Sequence, residues 1–279
     1  MNYAHRIVYF SPAGTTRLVA ETIQQRLLEQ QCQVEMADLS VQGAAAARSL
    51  PDLSDTPVCL WIGSPVYCDH AIPLVSRWID ALTPNQTGRA VPFVTWGGVA
   101  SGLALPEMAA QLVEKQYIPV AAAKVLAVHA SMWGAVEPLA QGRPDQADLD
   151  QVRTLVDVVV ERLAQQEQVV LDLQKLDYLP PTMRAEAQIK SLAAAKASMP
   201  PLAADEQLCT SCGICAEVCP TGAIVVDPYP IISEACVVCQ QCVQACPEGA
   251  FPSNPEAMAA RIREMAARSQ EEQATVLLY

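Results

Sequence analysis

Over roughly the first 165 residues, short apolar runs alternate with stretches whose apolar residues recur at helical spacing. Residues 6–10 (RIVYF), 33–36, 57–63, 90–96 and 120–128 read as five strands. The run 57–63 is continuously apolar, as a strand covered on both faces must be. Between the strands, Thr15–Glu29 carries Leu18, Ile23, Leu27 and Leu28 at helical positions, and 71–82, 103–116 and 145–165 also read as helices. This alternation predicts a doubly wound α/β unit, a five-stranded parallel sheet with helices on both faces.

The pattern changes after residue 168. Leu179-Pro180-Pro181 and Met199-Pro200-Pro201 punctuate residues 169–201, with an Ala-rich helix expected over 184–196. Two Pro-Pro steps predict a semi-stiff connector rather than a floppy tether. Residues 202–252 are short of aromatics and dense in cysteine. In 253–279, Asn254 and Pro255 look like an N-cap and a first-turn proline, and Met258, Ile262 and Met265 mark one helix face. That face is expected to dock on the protein's own surface. The closing Val276-Leu277-Leu278-Tyr279 has no place assigned by pattern.

Eight of eleven cysteines lie in two runs, Cys209, Cys212, Cys215, Cys219-Pro220 and Cys236, Cys239, Cys242, Cys246-Pro247. Each reads C-x2-C-x2-C-x3-C-P, and an offset of 27 residues superposes them, so the segment is an internal duplication. Zinc sites usually pair two C-x2-C units across a longer loop; two tandem four-cysteine runs with a trailing proline suit iron–sulfur clusters instead. Residues 202–252 resemble the two-cluster bacterial ferredoxin domain. The resemblance implies two [4Fe-4S] clusters with crossed ligation: Cys209, Cys212, Cys215 and Cys246 for one, Cys236, Cys239, Cys242 and Cys219 for the other. Gly213, Gly222 and Gly249 would allow the tight turns. A unit of about 50 residues would depend on such clusters for its stability.

In the first unit, Ser11-Pro12-Ala13-Gly14-Thr15-Thr16 follows a strand and opens a helix, a ready anion site. Neither G-x-G-x-x-G nor a P-loop lysine is present. Two further loops are expected at strand C-ends, where open α/β sheets bind ligands: one with Ser64, Pro65, Val66, Tyr67 and Cys68, the other with Thr95, Trp96, Gly97, Gly98 and Gly102. Taken together, the three loops resemble flavodoxin over about residues 3–165. The resemblance implies FMN, with its phosphate on the first loop and its ring between the other two, where Tyr67 and Trp96 are candidates to lie against it. Ala13 stands where many flavodoxins have threonine; one lost neutral hydrogen bond weakens binding by about 0.5–1.5 kcal/mol.

Other chemistry-bearing residues take plainer readings. Cys59 and Cys32 read as structural, and Cys68 as a loop thiol without a redox role. His70 and His129 read as solvated loop histidines near the sheet C-ends, and Asp69 as an N-cap for the helix after it. Asp38 resembles a ribose-binding acid but lacks the glycine fingerprint. No catalytic residue is assigned.

The net charge of -12 and pI near 4.7 exclude a nucleic-acid partner and favour redox proteins with a basic face. No stretch reaches the ~20 apolar residues a membrane span needs, and no secretory signal is evident, so the expectation is a cytoplasmic protein with metal rather than disulfides. The whole chain resembles the flavodoxin–ferredoxin fusion family (EFR-type ferredoxins), to which residues 142–149 are also similar. That resemblance implies an electron carrier converting between one-electron partners and a flavin. Two other readings stay open: a flavin-dependent reductase fed by its clusters, and a redox sensor or partner protein with an empty flavin pocket.

Overall fold

The structure is a computed structural model describing residues 3–40, 57–165, 170–199, 201–269 and 271–279. The expected boundary at 168–169 and the Pro200 break lie outside the described residues. In chain order, the first unit comprises β1 (Ala4–Tyr9), α1 (Thr15–Glu29), β2 (Val34–Asp38), β3 (Val58–Tyr67), β4 (His70–Ala71), α2 (Pro73–Asp80), β5 (Arg89–Trp96), α3 (Ala104–Glu114), β6 (Ile118–Pro119), β7 (Ala122–Leu126) and α4 (Gln146–Ala164). The five main strands pair in parallel in the order β2-β1-β3-β5-β7, the flavodoxin-like arrangement.

Each face of the sheet buries its own apolar layer. Ile7, Trp61, Val91 and Phe93 pack against Ile23 and Leu27 of α1 and Leu155 and Val156 of α4. Val8, Leu60, Ile62 and Val94 pack against Ile79 of α2 and Met108 and Leu112 of α3. In α1 the apolar spacing marked the inward stripe only in part: Ile23 and Leu27 are buried with Val19, whereas Leu18 and Leu28 face solvent. Asp145 and Asp148 form a reciprocal capping box that starts α4.

Three local readings change. β3 runs four residues past Gly63, because parallel register with β5 continues through Ser64 and Pro65, opposite Val94 and Thr95. Val66 and Tyr67 then pair back with Ala71 and His70. The two-residue turn, Cys68-Asp69, has positive φ at both positions (51° and 68°), as a tight hairpin turn requires. Asp69 is therefore no helix cap: Ile72 caps α2, Pro73 follows it, and Asp69 pairs with Lys190 at 2.5 Å. His70 is half-buried in a protein clamp rather than solvated.

The connector forms two helices instead of one, α5 (Pro181–Ile189) and α6 (Leu192–Ser198); the Ser191 hydroxyl accepts the Ala194 N–H at 3.0 Å and starts the second. Upstream, Leu171 and Leu176 are buried in the sheet layer beneath α2 and α3. The connector is thus anchored to the first unit over much of its length.

The cysteine-rich unit comprises α7 (Ile214–Glu217), the antiparallel hairpin β8 (Ile224–Val226) and β9 (Pro230–Ile232), and α8 (Gln241–Ala245). Then α9 (Pro255–Ser269) starts at an Asn254 cap and buries Ala259 and Ile262 against Met132 of the first unit. The tail becomes β10 (Val276–Leu278), antiparallel to β7, which covers an edge strand that would otherwise offer unpaired backbone groups. Beneath the tail, Glu271 reaches Lys124 of β7 at 2.5 Å and Ser101 N at 2.8 Å, and Thr275 Oγ1 donates to Asp148 Oδ1 at 2.5 Å. No described helix is long and apolar enough to cross a membrane.

Candidate functional site

Two cavities occupy the cysteine-rich unit. One is lined by Cys209, Cys212, Cys215 and Cys246, with Val226, Pro230 and Phe251 beside them. The other is lined by Cys219, Cys236, Cys239 and Cys242. Each takes three cysteines from one repeat and the fourth from the other. Among the described residues, no group of three or more His, Cys, Asp or Glu side chains converges on a single-ion point. Four thiols around a hollow suit a cluster, whose bulk separates its ligands, better than one tetrahedral zinc.

The duplication also appears in the hydrogen bonds. Ala223 N donates to Cys219 Sγ at 3.2 Å, and 27 residues on, Ala250 N donates to Cys246 Sγ at 3.3 Å. Gly222 and Gly249 have matching φ of 61° and 59°. Val238 N reaches Cys236 Sγ at 3.4 Å. Amide donors to sulfur are among the groups that tune a cluster's potential. Burial pushes the Cys239 thiol up to about 11 and Cys242 up to about 12, so these thiols hold their protons until a metal displaces them.

The repeats differ in residue at two left-handed positions, Ser211 against Val238 (both φ 56°) and the one after the second cysteine. Gly213 (φ 84°) corresponds to Gln240 (φ 62°), and the Gln240 side chain accepts a hydrogen bond from Trp133 Nε1 at 3.2 Å. Trp133 lies beyond β7, at the C-terminal edge of the sheet. Val237, only 4% exposed, and Cys239 pack in the same apolar layer as Tyr67 at the end of β3. Lys196 of α6 pairs with Glu234 at 3.2 Å. The loop of the second cavity therefore rests on the sheet edge, between the ends of β3 and β7. Trp133 was not distinguished by sequence; a tryptophan just past the last strand was its one signal.

The flavin-type loops divide into open and closed parts. Ala13 and Gly14 are exposed; Gly14 takes φ 85°, and α1 begins with neither a side-chain cap nor an acidic residue in its first turn. The first amides of α1, at Thr15 and Thr16, are thus left without a cap from their own turn, suited to a phosphate. The hydroxyls beside them are engaged: Ser11 Oγ accepts Arg17 N at 2.8 Å, and Thr16 Oγ1 bonds Thr95 Oγ1 at 2.7 Å. Thr15 is half-exposed.

At the ring end, Pro65, Val66, Tyr67, Cys68 and Gly97 keep partial exposure. Three candidates are instead committed to packing. Ser64 is fully buried and accepts Ile72 N at 3.0 Å. Trp96 is 1% exposed, with the Lys124 ammonium 5.1 Å from its ring centre, so it presents no face to a flavin. Gly102 (φ 61°) lies against the Asp69 backbone, where a Cβ would collide with the carbonyl. Gly98 (φ 76°) is buried near Leu139 and Gln273. Above Gly97 lies His129, half-exposed overall, whose Nδ1 is buried without a hydrogen-bond partner. Burial lowers its pKa to about 4, so the ring is neutral near pH 7.

The 4Fe-4S binding domain model matches residues 203–225 and 229–251, one match per repeat. No curated protein matches the chain. Among solved structures, it is similar to the rubredoxin oxygen:oxidoreductase of Desulfovibrio gigas (20% identity, 58% of this chain and 36% of that one, TM-score 0.46). It is also similar to a flavodoxin from the domain Archaea (14%, 58% and 99%, TM-score 0.40) and to flavodoxin 2 of Bacillus cereus (14%, 57% and 99%, TM-score 0.42). The chain thus spans about a third of the first of these proteins. It joins a flavodoxin-like fold to a 4Fe-4S ferredoxin domain, an organisation suited to electron transfer.

Proposed function

We propose that the chain is an electron carrier of the flavodoxin–ferredoxin fusion type, relaying electrons between two [4Fe-4S] clusters and an FMN in the first unit. One observation carries this reading: the Cys236–Gln240 stretch packs on Tyr67 and Trp133, at the strand C-ends where this fold class binds ligands. A cluster there would adjoin the flavin loops, with Tyr67 filling the space between and excluding water.

The open amides at the start of α1, with the Thr15 hydroxyl, fit a phosphate, and Tyr67, Gly97 and His129 would border the ring. FMN, when bound, supplies a centre that exchanges one or two electrons, whereas a cluster exchanges one. The residues of the chain set spacing, dryness and hydrogen bonding around these centres. A second reading, a partner protein that takes no FMN, is favoured by the engaged hydroxyls of Ser11 and Thr16, which leave the phosphate mainly backbone donors.

Anaerobically purified protein is expected to contain about eight iron, eight sulfide and one FMN per chain. Iron and sulfide without flavin, even after incubation with excess FMN, would select the second reading. In the relay reading, Cys239→Ser abolishes flavin reduction by a reduced ferredoxin; unchanged flavin reduction would sink it.

A further inference from the structure

The duplication gives the two cluster loops the same cysteine spacing, but the residues between the cysteines and their surroundings differ. Val237, at 4% exposure, corresponds to exposed Thr210. Cys239, half-buried against the first unit, corresponds to exposed Cys212. Gln240, bonded to Trp133, corresponds to Gly213, where a Cβ would meet nothing within 4 Å. The face that one repeat uses to sit on the sheet edge is left free by the other.

That free face has an apolar centre. Leu208 is 50% exposed in the turn before Cys209. Val225 and Ile231 are paired across the β8–β9 hairpin and are 63% and 61% exposed. Their neighbours Val226 and Pro230 point the other way and line the first cavity. The hairpin tip joins the cysteine loop through Ser211 Oγ, which donates to the Pro228 carbonyl at 2.6 Å. The loop with the exposed ligand is therefore joined to the hairpin that carries Val225 and Ile231 on its outer face.

The charge around that centre has one sign. Residues 202–252 contain six acids (Asp205, Glu206, Glu217, Asp227, Glu234, Glu248) and no Lys, Arg or His. Glu234, in the repeat that rests on the first unit, is paired with Lys196. Among the described residues, none of the other five makes a salt bridge. Asp205 and Glu206 belong to the turn carrying Leu208, Asp227 to the hairpin tip, and Glu248 lines the cavity. We propose that this face, built on Leu208, Val225 and Ile231 within an acidic rim, is the docking surface for a one-electron redox protein with an apolar contact ringed by Lys and Arg. The cluster held by Cys209, Cys212, Cys215 and Cys246 is then the outer port of the chain, and the other cluster its inner one. Each encounter transfers one electron: a reduced cluster is oxidised as the partner is reduced, or the reverse. Steering by opposite charge raises the encounter rate and weakens as salt screens it.

This proposal rests on the cluster part of the relay reading and not on FMN. Full-length, cluster-loaded protein is reduced, freed of reductant, and mixed in stopped flow with a positively charged cytochrome c at rising ionic strength, with cluster absorbance followed. Glu206→Lys/Asp227→Lys is compared with Asp150→Lys/Glu161→Lys on α4, which changes net charge equally. At low salt the first pair is expected to slow the reaction about tenfold and the second less than twofold, with all proteins converging near 0.5 M salt. Val225→Ser/Ile231→Ser is expected to remain slower at every salt concentration. Iron and sulfide content is checked in each variant. Equal slowing by the two charge pairs, or slowing by neither, would overturn the proposal, and a Ser pair as fast as the unmodified chain would remove the apolar centre from it. Missing FMN changes none of these readouts, whereas missing iron identifies failure of the cluster reading itself.

Discussion

The two units are held together by different means. In the flavodoxin-like unit, aliphatic and aromatic side chains fill both faces of a sheet, and its buried layers need no cofactor to be complete. In the ferredoxin-like unit, the buried cluster is Cys215, Ile224, Cys242, Val243 and Phe251, and two of those five are candidate iron ligands. Its remaining interior is two cysteine-lined hollows. About 50 residues with so small a core cannot offset their own chain entropy, so metal–thiolate bonds must take the place of apolar packing. One unit is a scaffold that can hold a cofactor, and the other is organised by its cofactors.

Iron removal tests this contrast most severely. Stripping iron under denaturant-free conditions is expected to abolish amide-exchange protection across 202–252 while the sheet strands stay protected; persistent protection in the stripped unit would show that its five-residue core suffices. Within the first unit, Glu271→Ala would leave Lys124 buried without its carboxylate, at a cost of about 3–5 kcal/mol in urea unfolding. Lys124→Met/Glu271→Leu should recover most of that loss, because both charges go together.

Gly102→Ala is expected to destabilise the same unit by roughly 1–3 kcal/mol, through φ 61° and the clash with Asp69. Thermal unfolding followed by far-UV circular dichroism would measure it. A smaller and pH-dependent effect belongs to His70. Its Nδ1 faces both Glu107 oxygens at 2.9 and 3.0 Å, and its Nε2 faces the carbonyls of Ala187 and Lys190 at 2.9 and 3.0 Å. The hydrogen bond to Glu107 is the main cause that raises its pKa above the ordinary 6.5. The stabilisation is therefore complete below about pH 6.5 and is lost as pH rises through the raised value. His70→Gln should cost roughly 1–2 kcal/mol at low pH and progressively less at high pH, read as exchange protection of α5. Arg268→Ala, breaking an exposed pair with Glu264, should leave both units unchanged in any unfolding measurement.

Legibility followed the range of the interactions. Strand and helix alternation, the capping of α9 and the cysteine repeats are local patterns, and the structure follows them closely. Ser64 and Gly102 read as loop residues of a ligand site because sequence cannot show where a strand ends; pairing with β5 and the Cys68-Asp69 turn draw them into packing, and Trp96, at the end of β5 opposite Leu126 of β7, lies under Lys124. His70 read as solvated because its acceptors are 37 to 120 residues away. Val276–Leu278 offered only an apolar triplet, and its place depends on the exposed edge of β7.

By itself, the sequence determined what recurs within a few residues: a βα alternation that makes a parallel sheet, and a cysteine spacing that makes cluster loops. Only the tertiary structure decided which of two loops of the same cysteine spacing rests on the sheet edge and which faces solvent. A 27-residue repeat gives both loops the same cysteine spacing, and the second loop's Val237 and Gln240, in place of Thr210 and Gly213, take their role only from Tyr67, Trp133 and Lys196, distant residues that contact one repeat and leave the other free.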